Sequence, residues 1–205
     1  IVITIARQYG SGGKTIGAML AKELGINCYS REILKMASEE SGINEGLFGM
    51  SDEKIKKAPW FKILSRPYDG ELLTPEDRDF VSDDNLFNYQ AKVIQDLAEK
   101  ESCVIVGRCA DYVLGDYSNV INTFIYAYKD DRLNRIMDIY KLTEKQAADK
   151  IKKTDRERKL YYEARTGREW GGIESNSMLF NTSLLGIDGV TDALEAIYRK
   201  WESRG

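Results

Sequence analysis

Residues 1–25 read Ile1-Val-Ile-Thr-Ile-Ala6-Arg-Gln-Tyr-Gly10-Ser-Gly-Gly-Lys-Thr15-Ile-Gly-Ala-Met-Leu20-Ala-Lys-Glu-Leu-Gly25, and their reading decides the fold. Ile1 to Ala6 is a β-branched apolar run, the composition of a buried strand. From Lys14 the period changes: Ile16, Met19, Leu20, Ala21 and Leu24 recur at helical spacing, and Gly25 stands where a helix ends on a left-handed residue. Between them lies a glycine-rich turn. Glycines let backbone N–H groups approach an anion closely, and the helix N-terminus adds the positive end of its dipole. Gly10, Ser11, Gly12, Gly13, Lys14 and Thr15 are therefore the expected phosphate-binding residues. Against G-x-x-x-x-G-K-[ST], only the first glycine fails, replaced by Gln8. An ordinary glycine-rich turn with a solvated Lys14 is the plainer alternative.

Working outward, Ile26 to Tyr29 predicts a second strand, and Ser30 to Ser41 a helix with Ser30 as its N-cap, ending near Gly42. Residues 43–84 lack periodicity, hold all three prolines (Pro59, Pro67, Pro75), and read as an insertion of short helices and loop. Leu86 to Glu99 is helical in period, Cys103 to Val106 a continuous apolar strand, and Asn122 to Tyr128 another. Charged helices follow over about Asp131–Tyr140 and Thr143–Tyr162. Ser177 to Thr182 predicts a last strand and Thr191 to Trp201 a closing helix. The sum is one α/β domain over 1–205: a five-stranded parallel sheet in a three-layer fold, with helices on both faces. Residues 43–84, as an acceptor-binding insertion, and 150–172, as a helical lid, are expected to be mobile covers over a rigid core.

Composition sets limits. A chain of 205 residues buries roughly 70% of its unfolded surface and needs no staple. The absence of histidine removes Ser-His-Asp and Cys-His catalysis and histidine-bound zinc or haem. A net charge of −3 disfavours a dedicated nucleic-acid binder. Cys28, Cys103 and Cys109 are odd in number and suit reduced thiols; Cys28 and Cys103 read as small buried hydrophobes. With no apolar run near the ~20 residues that span a membrane and no leader-like segment, the expectation is a soluble cytoplasmic protein.

Several separated motifs, in order, resemble the cytidylate kinase-like family, a divergent branch of the P-loop nucleoside monophosphate kinases. They are Ile3 to Thr15, Cys103-Val-Ile-Val-Gly-Arg-Cys-Ala-Asp111, Asp155-Arg-Glu-Arg-Lys-Leu-Tyr-Tyr162, Thr166-Gly-Arg-Glu-Trp170 and Asn181-Thr-Ser183. Cytidylate kinases carry a loop similar to Gly-x-x-Gly-x-Gly-Lys-Gly-Thr. A gapless match of Thr15, Ile16, Leu20, Ala21, Leu24 and Gly25 to their helix puts Gly13 at the lysine position. Lys14 then falls one residue late, about 100° round the helix. The literal motif instead makes Lys14 the phosphate lysine, and both registers stay open.

The resemblance implies further roles. Gly107-Arg108 matches Gly-Arg-Asp, with Arg108 on an acceptor phosphate; Cys109 replaces the ribose-binding aspartate and reads as a small packed residue. Arg31 faces the acceptor phosphate or is an exposed helix-start residue. Asp155 and Arg158 fit the lid spacing, and Lys153, Arg156 and Arg158 are cations for the transferring phosphoryl group. Tyr161, Tyr162 and Trp170 read as the packed side of that helix. The catalytic residues expected are Lys14, Arg108, Arg156 and Arg158, and the substrate-binding ones Arg31, Arg108, Asp155 and Arg158. ATP is the implied cofactor, with Mg²⁺ carried by the nucleotide, Thr15 or Ser11 near it, and no protein metal site. The function so implied is an ATP-dependent phosphotransferase on a small nucleotide such as CMP or dCMP. The alternative is a non-catalytic nucleotide-binding or regulatory protein.

Overall fold

A computed structural model describes residues 1–57 and 70–204. Its frame is a five-stranded parallel sheet in the order β2-β3-β1-β4-β5. The strands are β1 (Val2–Arg7), β2 (Asn27–Tyr29), β3 (Cys103–Val106), β4 (Val120–Tyr126) and β5 (Met178–Asn181). β1 is central because its residues are apolar on both sides: Ile3 and Ile5 face one layer and Val2 the other, all fully buried. Thr4 is accommodated there by polar partners within the sheet. Its hydroxyl donates to Asn122 Oδ1 at 2.7 Å, and its carbonyl accepts from the Thr123 hydroxyl at 2.7 Å.

Each face carries its own helices. Ile3, Ile5, Val104, Val106, Ile121 and Ile125 pack against α1 (Gly13–Leu24) and α8 (Thr182–Glu202). Val2, Cys103 and Ile105 pack on the other side against α2 (Glu32–Ser41), α4 (Asp83–Lys100), the four-residue α5 (Ala110–Val113) and the end of α7 (Glu144–Thr166). Alternate residues of β3 thus serve opposite layers, as parallel strands buried on both faces must. α3 (Glu45–Lys57) and α6 (Lys129–Tyr140) complete the chain.

Helix ends fall at Gly25 and Gly42 as expected, and α7 runs past Tyr162 to end at Gly167. Gly25, Gly42 and Gly167 close α1, α2 and α7 in the left-handed region. Thr143 and Gln146 form a reciprocal capping box at the start of α7. Two boundaries and one segment differ from expectation. The cap of α2 is Arg31, not Ser30, and no side chain caps it. α8 begins at Thr182, well before Thr191, because the Asn181 side chain accepts the Ser183 N–H and starts a turn that bends at Gly186. Within 43–84, Ile43 and Phe48 are buried in the core, so α3 is packed structure; Pro59, Trp60, Phe61, Pro67 and Tyr68 lie outside the described residues.

Candidate functional site

The turn after β1 is shaped by Gly10 (φ +81) and Gly12 (φ +88), conformations that L-residues with side chains rarely adopt. Its carbonyls are tied backwards. Tyr9 O accepts from Arg132 Nε at 2.8 Å, Gly10 O from Arg135 Nη1 at 2.7 Å, and Ser11 O from the Thr182 hydroxyl at 2.8 Å. The amides are left over. α1 opens at Gly13 with no capping side chain and no acidic residue in its first turn, and its first intrahelical bond is Ile16 N–H to Gly12 O. The N–H groups of Gly13, Lys14 and Thr15 are therefore helix-start donors without intrahelical acceptors, the arrangement that takes an anion. The Ser11 side chain does not share in this: it is fully buried and donates to Gln8 O at 2.9 Å.

Beside the turn, at the carboxyl edge of the sheet, lies a cavity of about 670 Å³. Four arginines line it: Arg7, Arg31, Arg108 and Arg158. Gly107, Arg108 and Cys109 have φ of 82, 62 and 54°, three consecutive left-handed residues that swing the chain out of β3 and over the sheet edge. Arg108 is ion-paired with buried Asp52 of α3 and lies 3.4 Å from Gln90 Oε1. Burial alone would lower its pKa; Asp52, with Tyr161 and Cys109 adding to it, more than offsets that and holds it above the ordinary value. Arg158 donates to Arg7 O at 3.0 Å and stacks 5.5 Å from the Tyr9 ring. Burial, with Arg132 as a lesser cause, lowers its pKa against the pull of Asp155 and Tyr9.

Arg7, the last residue of β1 and not among the expected site residues, lines this cavity. Its stem packs on Gly13 and its guanidinium on Gly107. Burial, then repulsion from Arg158 and Arg108, lowers its pKa to about 9. Two glycines far apart in sequence, Gly13 and Gly107, make room for it. Asp111, also lining the cavity, accepts from the Tyr162 hydroxyl at 2.6 Å and is pushed above its ordinary value by burial. Burial likewise raises the Cys109 thiol, so this cysteine is an inert packed group.

Four expected site residues stand elsewhere, among them Lys153, exposed on α7 and outside the cavity. Lys14 is exposed and outside the cavity, near Glu32, whose carboxyl is lowered first by backbone N–H bonds and less by Lys14. Helical register explains this: Gly13 faces the sheet, and the next residue is turned about 100° away. Arg156 is exposed on α7, because residues 154, 157, 158, 161 and 162 form its cavity-facing side. Asp155 is taken up by the Tyr9 N–H at 2.7 Å and by Arg132, so it fastens α7 to the glycine-rich turn and does not line the cavity. Tyr161 and Tyr162 are buried in the core as expected, and the Trp170 ring packs edge-on to Phe124 at 5.3 Å.

A model of the cytidylate kinase-like family matches residues 2–184. The chain belongs to that family. The crystal structure of an uncharacterised protein from Eubacterium ventriosum is similar over 97% of this chain and 98% of that one, at 27% identity and a TM-score of 0.71. Shikimate kinase from Bacteroides thetaiotaomicron is similar over 97% and 98% of the two chains, at 12% identity and a TM-score of 0.53, a likeness of fold. No curated protein matches the sequence. The fold is thus that of P-loop kinases, and the family supports a kinase-type nucleotide-binding function.

The residues present suit a nucleotide: uncapped amides at a helix start for its phosphates, and arginines beside them. Among the described residues no three acidic or cysteine side chains converge as a metal site. No described helix is long and apolar enough to cross a membrane.

Proposed function

We propose that this member of the cytidylate kinase-like family is an ATP-dependent phosphotransferase of the nucleoside monophosphate kinase type, with CMP and dCMP the acceptors to test first. One observation carries the reading: an uncapped helix start and an arginine-lined cavity meet at the carboxyl edge of the sheet, and the Arg7 side chain touches both, packing on Gly13 and lining the cavity. In open α/β sheets, ligands bind at that edge.

The donor phosphates lie against the amides of residues 10–15, and the acceptor phosphate lies on Arg108 and Arg31. An acceptor oxygen attacks the γ-phosphorus, the bond to the β–γ bridging oxygen breaks, and ADP leaves. The protein need only position the two ends and spread positive charge over the group in transit; Arg158, held against Arg7 O, supplies such charge. Mg²⁺, when bound with the nucleotide, neutralises charge between phosphates, and Thr15, exposed in the first turn of α1, is the hydroxyl to hold it. The buried Asp52–Arg108 pair gives the acceptor phosphate a competitor for Arg108. Nucleic acid is not the expected substrate at a net charge of −3. Reduced thiols at Cys28, Cys103 and Cys109 suit the cytoplasm.

A second reading, a nucleotide-binding protein without turnover, is favoured by Gly13 standing where the gapless match has lysine and by Lys14 lying outside the cavity. Coupled ADP release with CMP, dCMP, UMP and AMP, alongside ATP-dependent thermal shift, separates the two. Turnover with any acceptor supports the kinase, and stabilisation without turnover supports the binder. Neither response to any nucleotide overturns both.

A further inference from the structure

In the gapless match to Gly-x-x-Gly-x-Gly-Lys-Gly-Thr, the lysine position is Gly13 and the first glycine position is Arg7. The two residues have exchanged sizes, and the structure shows that they share one space. A Cβ added to Gly13 would lie 2.7 Å from Arg7 Cβ and 2.9 Å from Arg7 Cγ, so no side chain at residue 13 coexists with this arginine. At the far end, the Arg7 guanidinium rests on Gly107, whose φ of +82° and missing Cβ admit it.

The electrostatics of Arg7 are those of a group awaiting a counter-charge. Its Nε is enclosed and has no hydrogen-bond partner. It makes no ion pair among the described residues, while its charged neighbours Arg158 and Arg108 repel it. Arg108 has Asp52, and Arg158 has the nearby Asp155. A half-buried cation with an enclosed, unpartnered Nε and no ion pair is costly to the fold and is sustained where a ligand supplies the missing negative charge. The same cavity holds a second orphan, the Tyr161 hydroxyl, which is 8% exposed and also has no partner. Both residues line the cavity, and two unsatisfied polar groups in its wall point to a ligand with acceptor oxygens.

We infer that Arg7 is the phosphate-holding cation of this protein, brought up from the end of the central strand into the space that Gly13 leaves open, with Gly13 and Gly107 kept small to admit it. The inference deepens the phosphate-ligand reading above and rests on it. A planar fork at the strand end holds two phosphate oxygens at once, where a lysine from the helix would supply a point charge.

The experiment is calorimetric titration of the full chain with ATP and with inorganic triphosphate, paired with thermal unfolding of the free protein. Arg7→Gln is expected to weaken triphosphate binding by about tenfold or more. The same change should leave the free protein's Tm unchanged or raise it, because it removes an unpaired charge; an arginine with a merely structural role would lower Tm. The double variant R7G/G13K returns the cation by way of the helix and should bind at least about tenfold tighter than its neutral counterpart R7G/G13Q. That pair decides the matter even if Arg7→Gln does not fold. Equal binding by parent and Arg7→Gln, or by the two double variants, overturns the inference alone. A parent protein that binds neither ATP nor triphosphate overturns it together with the reading on which it rests.

Discussion

Gly13 and Lys14 are neighbours in sequence with opposite surroundings: the first is buried against Arg7 and the second is exposed near Glu32. Lys14→Ala is therefore expected to change turnover and ATP affinity by less than about fivefold, under ~1 kcal/mol. A loss of about a hundredfold or more, the size seen when a transition-state contact is removed, would return Lys14 to the site and favour the literal motif. Asp111 offers a test with a definite sign. Its carboxyl is raised from the ordinary 3.8, first by burial and against the pull of the Tyr162 hydroxyl. The folded state then holds this proton more tightly than the unfolded state. Its contribution to stability is complete below 3.8 and is lost as pH rises through the folded value. Asp111→Asn keeps an acceptor for Tyr162 and removes the charge, so its Tm relative to the parent should become more favourable between pH 4 and pH 7. A pH-independent difference would mean that the carboxylate is adequately solvated in the fold.

At the scale of elements, α1 is the piece on which the site depends, and its seat against β3 is tight. A Cβ at Gly17 would stand 2.8 Å from Val106 Cγ2 and 3.4 Å from Ile5 Cδ1, both buried in the sheet. Gly17→Ala gains up to ~1 kcal/mol of helix propensity but incurs about 1–3 kcal/mol of overpacking, so net destabilisation is expected in a denaturant melt. A stabilised variant would show that α1 slides freely on the sheet. This packing was legible in advance because β1 and β3 are uninterrupted apolar runs and α1 carries one apolar face ending in Gly25. The first half of α8 was not legible: Leu184 and Leu185 are exposed and Gly186 breaks the period, so no buried stripe marks that turn. Nor was α3, whose buried Phe48 and Ser51 sit in a stretch with little apolar periodicity. Within the site, the glycine turn could be read from its position between strand and helix, and Arg108 and Arg158 from the family resemblance. Arg7 could not, because its meaning depends on Gly13 and on the distant Gly107, which only the fold brings to it.

For the whole molecule, the question is which parts move when the cavity fills. The sequence marks 43–84 and 150–172 as two covers, yet the structure divides the second between surface and core. Tyr161 and Tyr162 are buried, fully buried Arg165 holds Asp84 at 2.7 Å and the Asp83 carbonyl at 2.7 Å, and Trp170 packs on Phe124. Residues 161–172 therefore belong to the body. The preceding part of α7 is highly charged, and it meets the glycine-rich turn through polar links, Asp155 to Tyr9 and Arg132 and Arg158 to Arg7 O. α3 is tied to the cavity through Asp52 and Arg108, a pair that an acceptor phosphate would contest. Closure over the cavity serves phosphoryl transfer by excluding water, the competing acceptor. Hydrogen exchange of the free protein should thus be slow over 161–172 and faster over 45–52 and 144–160. Adding ATP with an acceptor should slow the latter two and leave the first unchanged. If 45–52 and 144–160 are as protected without ligand as with it, they are fixed walls; entry would then rely on side-chain movement at Arg108 and Asp52, not on displacement of helices.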